Sequence, residues 1–134
     1  MGARAAKGGA MMTSVLQVAL GGALGASARY LSGVAVLRLA GPGFPWATLM
    51  VNVVGSFAMG VALVAMAHGG NRFAPFVMTG FLGGFTTFSA FSLEAFTLYE
   101  RGELAAAGLY VGLSVAGAIG ALCLGVWLAR AVLT

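Results

Sequence analysis

Four apolar stretches, each long enough to cross a lipid bilayer, decide what this chain can fold into. A transmembrane helix needs about 20 predominantly apolar residues. Stretches of that size run from about Val15 to Leu37, Trp46 to Ala67, Phe73 to Leu98 and Leu104 to Leu128. The breaks between them are legible. Gly41-Pro-Gly-Phe-Pro45 is a turn signal, His68-Gly-Gly-Asn-Arg72 is a polar loop, and Tyr99-Glu-Arg-Gly-Glu103 carries the densest charge in the chain. Trp46, Tyr99, Tyr110 and Trp127 suit the aromatic belts at the two interfaces, although Tyr110 lies deep enough in its span for other work.

Composition agrees with lipid as the solvent. Hydrophobic residues make up 60% of the 134-residue chain and charged residues 7%, against about 25% charged in soluble domains. The expected fold is a single all-α integral membrane domain over residues 1–134, with residues 1–12 a disordered tail. Arg4 and Lys7 precede an apolar run that reaches Ala26-Ser-Ala28, a pattern resembling a signal-peptide cleavage site. Apolar character resumes after Arg29, so a retained first helix is expected. The net charge is +4, but the seven basic residues form no stripe, which argues against nucleic acid as a partner. No P-loop, metal-ligand cluster or Ser–His–Asp set is present, and His68 and Cys123 are the sole residues of their types. The chain lacks the parts of an enzyme.

Charge placement bears on orientation. If the spans alternate, Arg4, Lys7, Arg72 and Arg130 share one side, and Arg38 and Arg101 the other, joined by Arg29 if it nears its helix end. Excess cytoplasmic Lys and Arg normally fix orientation, and outside the tail that excess nearly vanishes. Such a chain can insert both ways and pair antiparallel, unless a weak bias still suffices. Small residues recur at four-residue spacing in the pairs Gly21/Gly25, Ser56/Gly60, Gly80/Gly84 and Gly108/Gly112. In membranes such pairs let helix backbones approach closely. Four short helices do not easily enclose a pore alone, so a dimer or higher oligomer is expected.

The third span is the unusual one. Gly83-Gly-Phe-Thr-Thr-Phe-Ser-Ala-Phe91 puts two glycines at mid-span and three phenylalanines at three-residue spacing. A helix break is expected at Gly83-Gly84. Broken backbone at membrane depth survives only when buried in protein or lining a polar cavity, and transported ions are commonly bound at such breaks. Glu94 follows Phe91 by one turn and can share its face and that of Phe88. An ionisable side chain within a span is a functional hypothesis by default. Arg29 in the first span reads equally as a snorkelling residue or a functional one. Asn52 in the second span offers two N–H donors and one acceptor, and also suits interhelical bonding. Ser89, Thr86, Thr87, Ser92, Thr97 and Ser114 can all bond back to their own helices.

Three segments resemble motifs of the CrcB/Fluc family of fluoride channels. They are Gly21-Gly-Ala-Leu-Gly-Ala-Ser-Ala-Arg29-Tyr30, Thr48-Leu-Met-Val-Asn52-Val-Val-Gly-Ser-Phe57, and Gly80-Phe-Leu-Gly83-Gly-Phe-Thr-Thr-Phe88-Ser-Ala-Phe91-Ser-Leu-Glu94. The correspondence keeps order and spacing from about Gly21 to the C-terminus. The resemblance implies an antiparallel, dual-topology homodimer in a prokaryotic plasma membrane (the inner membrane in a Gram-negative cell). It implies two pores per dimer that export fluoride passively. It implies that Phe88 and Phe91 present ring edges to the ion and that Asn52 donates a hydrogen bond to it. Ser89, Tyr110 and Ser114 would contribute hydroxyls, Arg29 would face a vestibule, and Glu94 would belong to the polar side of the pore. Backbone carbonyls of Gly83 and Thr86 from both subunits would hold a structural sodium ion. Ala90 departs from the family pattern, which usually has threonine or serine there.

Two competing classes are open at this level. A small dual-topology, proton-coupled multidrug exporter also has four short helices, but such proteins use a first-span glutamate, and this first span has no acid. A non-transporting assembly factor would need only the packing glycines, and replacing Asn52 or Phe88 would then matter little.

Overall fold

The computed structural model describes the backbone of residues 2–133 and the side chains of residues 7–133. Among these the secondary structure is helical throughout, with no strand. Helix α1 covers Gly2–Ala40 and α2 covers Trp46–Gly69. The third span opens as a π-helical segment, Pro75–Leu82, and continues through the short turn α3, Gly83–Phe85, into α4, Phe88–Glu100. Helix α5 covers Leu104–Leu133. All four spans are long and apolar enough to cross a membrane.

Helix α1 begins earlier than the sequence reading expects. Residues 2–12, read as a disordered tail, continue α1 as helix. Alanine and methionine are good helix formers, and no proline interrupts this stretch. At 39 residues α1 extends about 58 Å at 1.5 Å per residue. That is nearly twice the about 30 Å hydrocarbon thickness, so α1 projects well beyond it.

Two helix pairings organise the chain: α2 runs along α5, and α1 packs on the π-helical segment and α3. Glycine makes both contacts close. A Cβ on Gly60 would strike the Leu122 carbonyl of α5, and one on Gly125 would strike the Phe57 carbonyl of α2. On the other seam Gly21 and Gly25 face the backbone at Phe76 and Phe81. The pair Gly108/Gly112 behaves differently, because nothing within the chain lies within 4 Å of either added Cβ. That small-residue face of α5 points away from the chain's own helices. Large apolar residues such as Leu20, Leu24, Ile119 and Trp127 are likewise exposed, as lipid-facing helices require.

The third span is interrupted, but not at the glycines. Gly83 and Gly84 are helical, and the chain becomes extended at Thr86 (φ −87°, ψ 160°) and Thr87 (φ −153°, ψ 121°). Gly84 serves close packing instead, since a Cβ there would lie 2.7 Å from the Gly22 carbonyl of α1. Opposite the break, Gly55 of α2 leaves the room that the Thr86 methyl group occupies. Helix α4 restarts with Thr87 as its N-cap, the hydroxyl accepting from the Ala90 N–H at 3.2 Å.

Candidate functional site at the interrupted third span

The break exposes backbone groups that must find partners at membrane depth. Asn52, six residues into α2, supplies them. Its Nδ2 donates to the Thr87 carbonyl at 2.9 Å, and its Oδ1 accepts from the Thr87 N–H at 2.7 Å. One amide therefore satisfies both polar groups of a single residue across two elements. An amide has two N–H bonds, so one donor of Asn52 is left for another acceptor. Thr86 is held separately, its N–H and its hydroxyl both donating to the Leu82 carbonyl.

A recess of about 320 Å³ opens beside this clamp, with Asn52, Thr87, Phe88, Phe91 and Ser114 on its walls. Phe88 is 77% exposed and Phe91 only 8%, with ring centroids 5.3 Å apart. The Ser114 hydroxyl is buried and has no hydrogen-bond partner among the described residues. Leaving a buried hydroxyl unpaired costs about 1–3 kcal/mol.

Glu94 lies on the far side of Phe91. Its Oε1 accepts from the Thr48 hydroxyl at 2.9 Å and its Oε2 from the Tyr110 hydroxyl at 2.6 Å. The carboxylate thereby ties α2, α4 and α5 together. Tyr110 is completely buried and stacks at a tilt against Phe91, centroid to centroid 5.4 Å. Glu94 also faces a second recess of about 450 Å³, where the α1–α2 loop, the end of α1 and the end of α4 meet. Arg101 stands on the wall of that second recess.

Of the residues singled out from sequence, Asn52, Phe88, Phe91 and Ser114 share the deep recess, and Glu94 and Tyr110 join it through Phe91. Ser89 is exposed and interacts with the Thr87 hydroxyl at 3.3 Å, outside the walls of either recess. Arg29 is half-buried on α1 and lines neither recess. Gly83 is exposed and Thr86 half-buried on the surface of the single chain. Sequence reading overlooked the roles of Thr48 and Thr87. Thr48 stands four residues before Asn52, one turn along the same helical face, which is the signal that would have found it. From sequence Thr87 reads as one of the hydroxyls that bond back to their own helices, whereas the break turns its backbone toward α2.

Residues 16–126 match the family model described as CrcB-like protein, Camphor Resistance (CrcB). A protein of Cereibacter sphaeroides named Fluoride-specific ion channel FluC is 70% identical over 105 residues, spanning 78% of this chain and 85% of its own length. A Ruegeria protein of the same name is 61% identical over 126 residues, covering 92% of this chain and its own full length. One from Roseobacter denitrificans is 59% identical over 124 residues, or 90% and 98% of the two chains. Four spans and bacterial relatives of this kind describe a multi-pass protein of a prokaryotic plasma membrane. On a family match that spans most of its length, and on relatives this similar, the chain belongs to the CrcB family.

Proposed function

We propose that this protein is a fluoride-selective passive channel, not an enzyme, and that it works as an antiparallel homodimer with two pores. The relatives' name supplies the ion. The observation that carries the reading is the deep recess at the break. Asn52, whose amide keeps one N–H beyond those bonded to Thr87, lines a space of about 320 Å³ together with Ser114 and the Phe88 and Phe91 rings.

The chemistry suits a small, strongly hydrated anion. An aromatic ring is electropositive at its edge and negative on its face, so a ring edge can replace part of a hydration shell. Neutral amide and hydroxyl donors do the same without a fixed positive charge that would trap the ion. A larger anion gains less from donors at this spacing, which favours fluoride over chloride. Export needs no energy coupling, because fluoride moves down its own gradient.

The dimer is supported by two features of the single chain. Basic residues are nearly balanced between the two membrane sides outside the N-terminal segment, and the Gly108/Gly112 face of α5 is open for close approach by another helix. A structural sodium ion on the two-fold axis, held by Gly83 and Thr86 carbonyls of both subunits, completes the reading. The surface position of both residues supports it, and hard cations favour carbonyl oxygen.

Purified protein in liposomes tests the function directly. Fluoride should leave down its gradient with no proton gradient imposed, while chloride stays behind. Equal chloride flux, or flux that requires a proton gradient, refutes the proposal.

A further inference from the structure

A continuous row of aromatic rings joins the two recesses. Trp46 contacts Phe44 with centroids 4.6 Å apart, Phe44 contacts Tyr110 at 5.6 Å, Tyr110 contacts Phe91 at 5.4 Å, and Phe91 contacts Phe88 at 5.3 Å. Trp46 and Phe44 line the recess at the α1–α2 loop, and Phe91 and Phe88 line the deep recess. Tyr110 stands between the two, fully buried.

Phe44 is half-buried and packs on the buried cluster of Phe91, Leu98 and Tyr110. Its ring meets Tyr110 at 88°, an edge-to-face arrangement. The loop that carries it is shaped for one conformation. Gly41 and Gly43 have φ of +74° and +120°, values that side-chain-bearing residues rarely adopt, and Pro42 and Pro45 restrict the positions beside them. The Trp46 N–H donates to the Phe44 carbonyl at 2.8 Å, closing the turn. An apolar ring at the end of a span could serve packing alone. What distinguishes Phe44 is that it shares a recess wall with Glu94 while touching Tyr110, which bonds the same carboxylate.

We infer that Phe44 is a further residue of the permeation pathway, the ring through which an anion passes between the loop-side recess and the Glu94–Tyr110 pair. This rests on the fluoride-channel reading. An anion passing beside the Glu94 carboxylate is repelled, so electropositive groups must offset that charge locally. Ring edges along the row and the Arg101 guanidinium on the same recess wall are of the required sign. The loop-side recess is then a mouth of the pathway, and Phe44 is the part of its wall whose ring touches Tyr110.

The test is thiol modification of Phe44→Cys in a Cys123→Ala background, because Cys123 is itself exposed. Fluoride efflux from liposomes is measured before and after an anionic methanethiosulfonate, with labelling followed by mass. Modified Phe44→Cys should lose flux by about tenfold or more, as a bulky anion in a narrow pathway demands. Leu39→Cys, on a neighbouring side chain that is 89% exposed, should be labelled with no change in flux. In parallel, Phe44→Leu should slow efflux while eluting as the same oligomer, and Phe44→Tyr should restore it by keeping the ring edge. Labelled Phe44→Cys at full flux, failure of the reagent to reach it, or Phe44→Leu conducting like the parent would each overturn the inference while leaving the channel reading intact. Absence of fluoride flux in the unsubstituted protein would remove both.

Discussion

Asn52 and Thr87 form a two-point clamp across the broken third span, the amide donating to one backbone group of Thr87 and accepting from the other. The clamp makes the break affordable in lipid, and it leaves one N–H of Asn52, a residue of the recess wall, without a bond to Thr87. If the proposed pathway is right, structure and permeation meet in this single side chain.

Asn52→Asp is expected to abolish fluoride efflux. A carboxylate cannot donate to the Thr87 carbonyl, and it places negative charge where an anion must pass. Loss of the donor leaves that carbonyl unpaired at about 1–3 kcal/mol, so thermal unfolding in detergent should also shift downward. Wild-type efflux from a folded Asn52→Asp protein would show that the pathway lies elsewhere.

Phe88→Ile and Phe91→Ile should both reduce efflux, but only one should affect stability. Phe88 is 77% exposed in the single chain and Phe91 is 8% exposed. Replacing Phe91 unpacks it from Tyr110 and Leu98, with a cost of about 1 kcal/mol or more for a shape change in a packed core. Parallel flux and unfolding measurements separate the two effects.

Tyr110→Phe removes one of the two hydroxyls that bond Glu94. Hydrogen bonds to charged groups contribute about 1.5–3 kcal/mol in soluble proteins, whereas interhelical bonds in membranes average nearer 0.6 kcal/mol. A cost between these limits is expected here, because the Tyr110 hydroxyl is fully buried while Glu94 is half-buried and borders the loop-side recess. Thr48→Val should cost less if Tyr110 then holds the carboxylate alone. A double-mutant cycle on unfolding free energy reads the coupling.

Gly60→Val should prevent assembly of the α2–α5 pair, because the new side chain meets the Leu122 backbone, which cannot move without shifting α5. Gly112→Val meets nothing in its own chain and should leave the monomer fold intact. If the open α5 face is the dimer contact, Gly112→Val instead shifts the oligomer toward monomer, seen by size exclusion in detergent.

Replacing sodium with a large organic cation during purification should destabilise the dimer if Gly83 and Thr86 carbonyls bind the ion. Unfolding temperature should then rise with sodium concentration as ligand linkage requires. No dependence on sodium would eliminate the site.

The sequence alone was enough to determine the solvent and the segmentation. Apolar runs of membrane length, separated by Gly41–Pro45, the His68–Arg72 loop and Tyr99–Glu103, set four spans because an uninterrupted apolar run of about 20 residues satisfies its backbone in lipid as a helix. The family motifs also pointed to Asn52, Phe88, Phe91 and Glu94. The position of the break was not legible. Two adjacent glycines look like the weakest point of a helix, yet Gly83 and Gly84 stay helical because close packing against α1 rewards the absence of a side chain at Gly84. Thr86 and Thr87 open instead, because only there does α2 offer an amide to receive the freed backbone groups and a glycine, Gly55, to make room. Propensity is local, whereas a break in a membrane needs a partner on another helix. For the same reason Thr48, Glu94 and Tyr110 became one unit only in the folded chain, where three helices bring residues 46 and 16 positions apart to a single carboxylate.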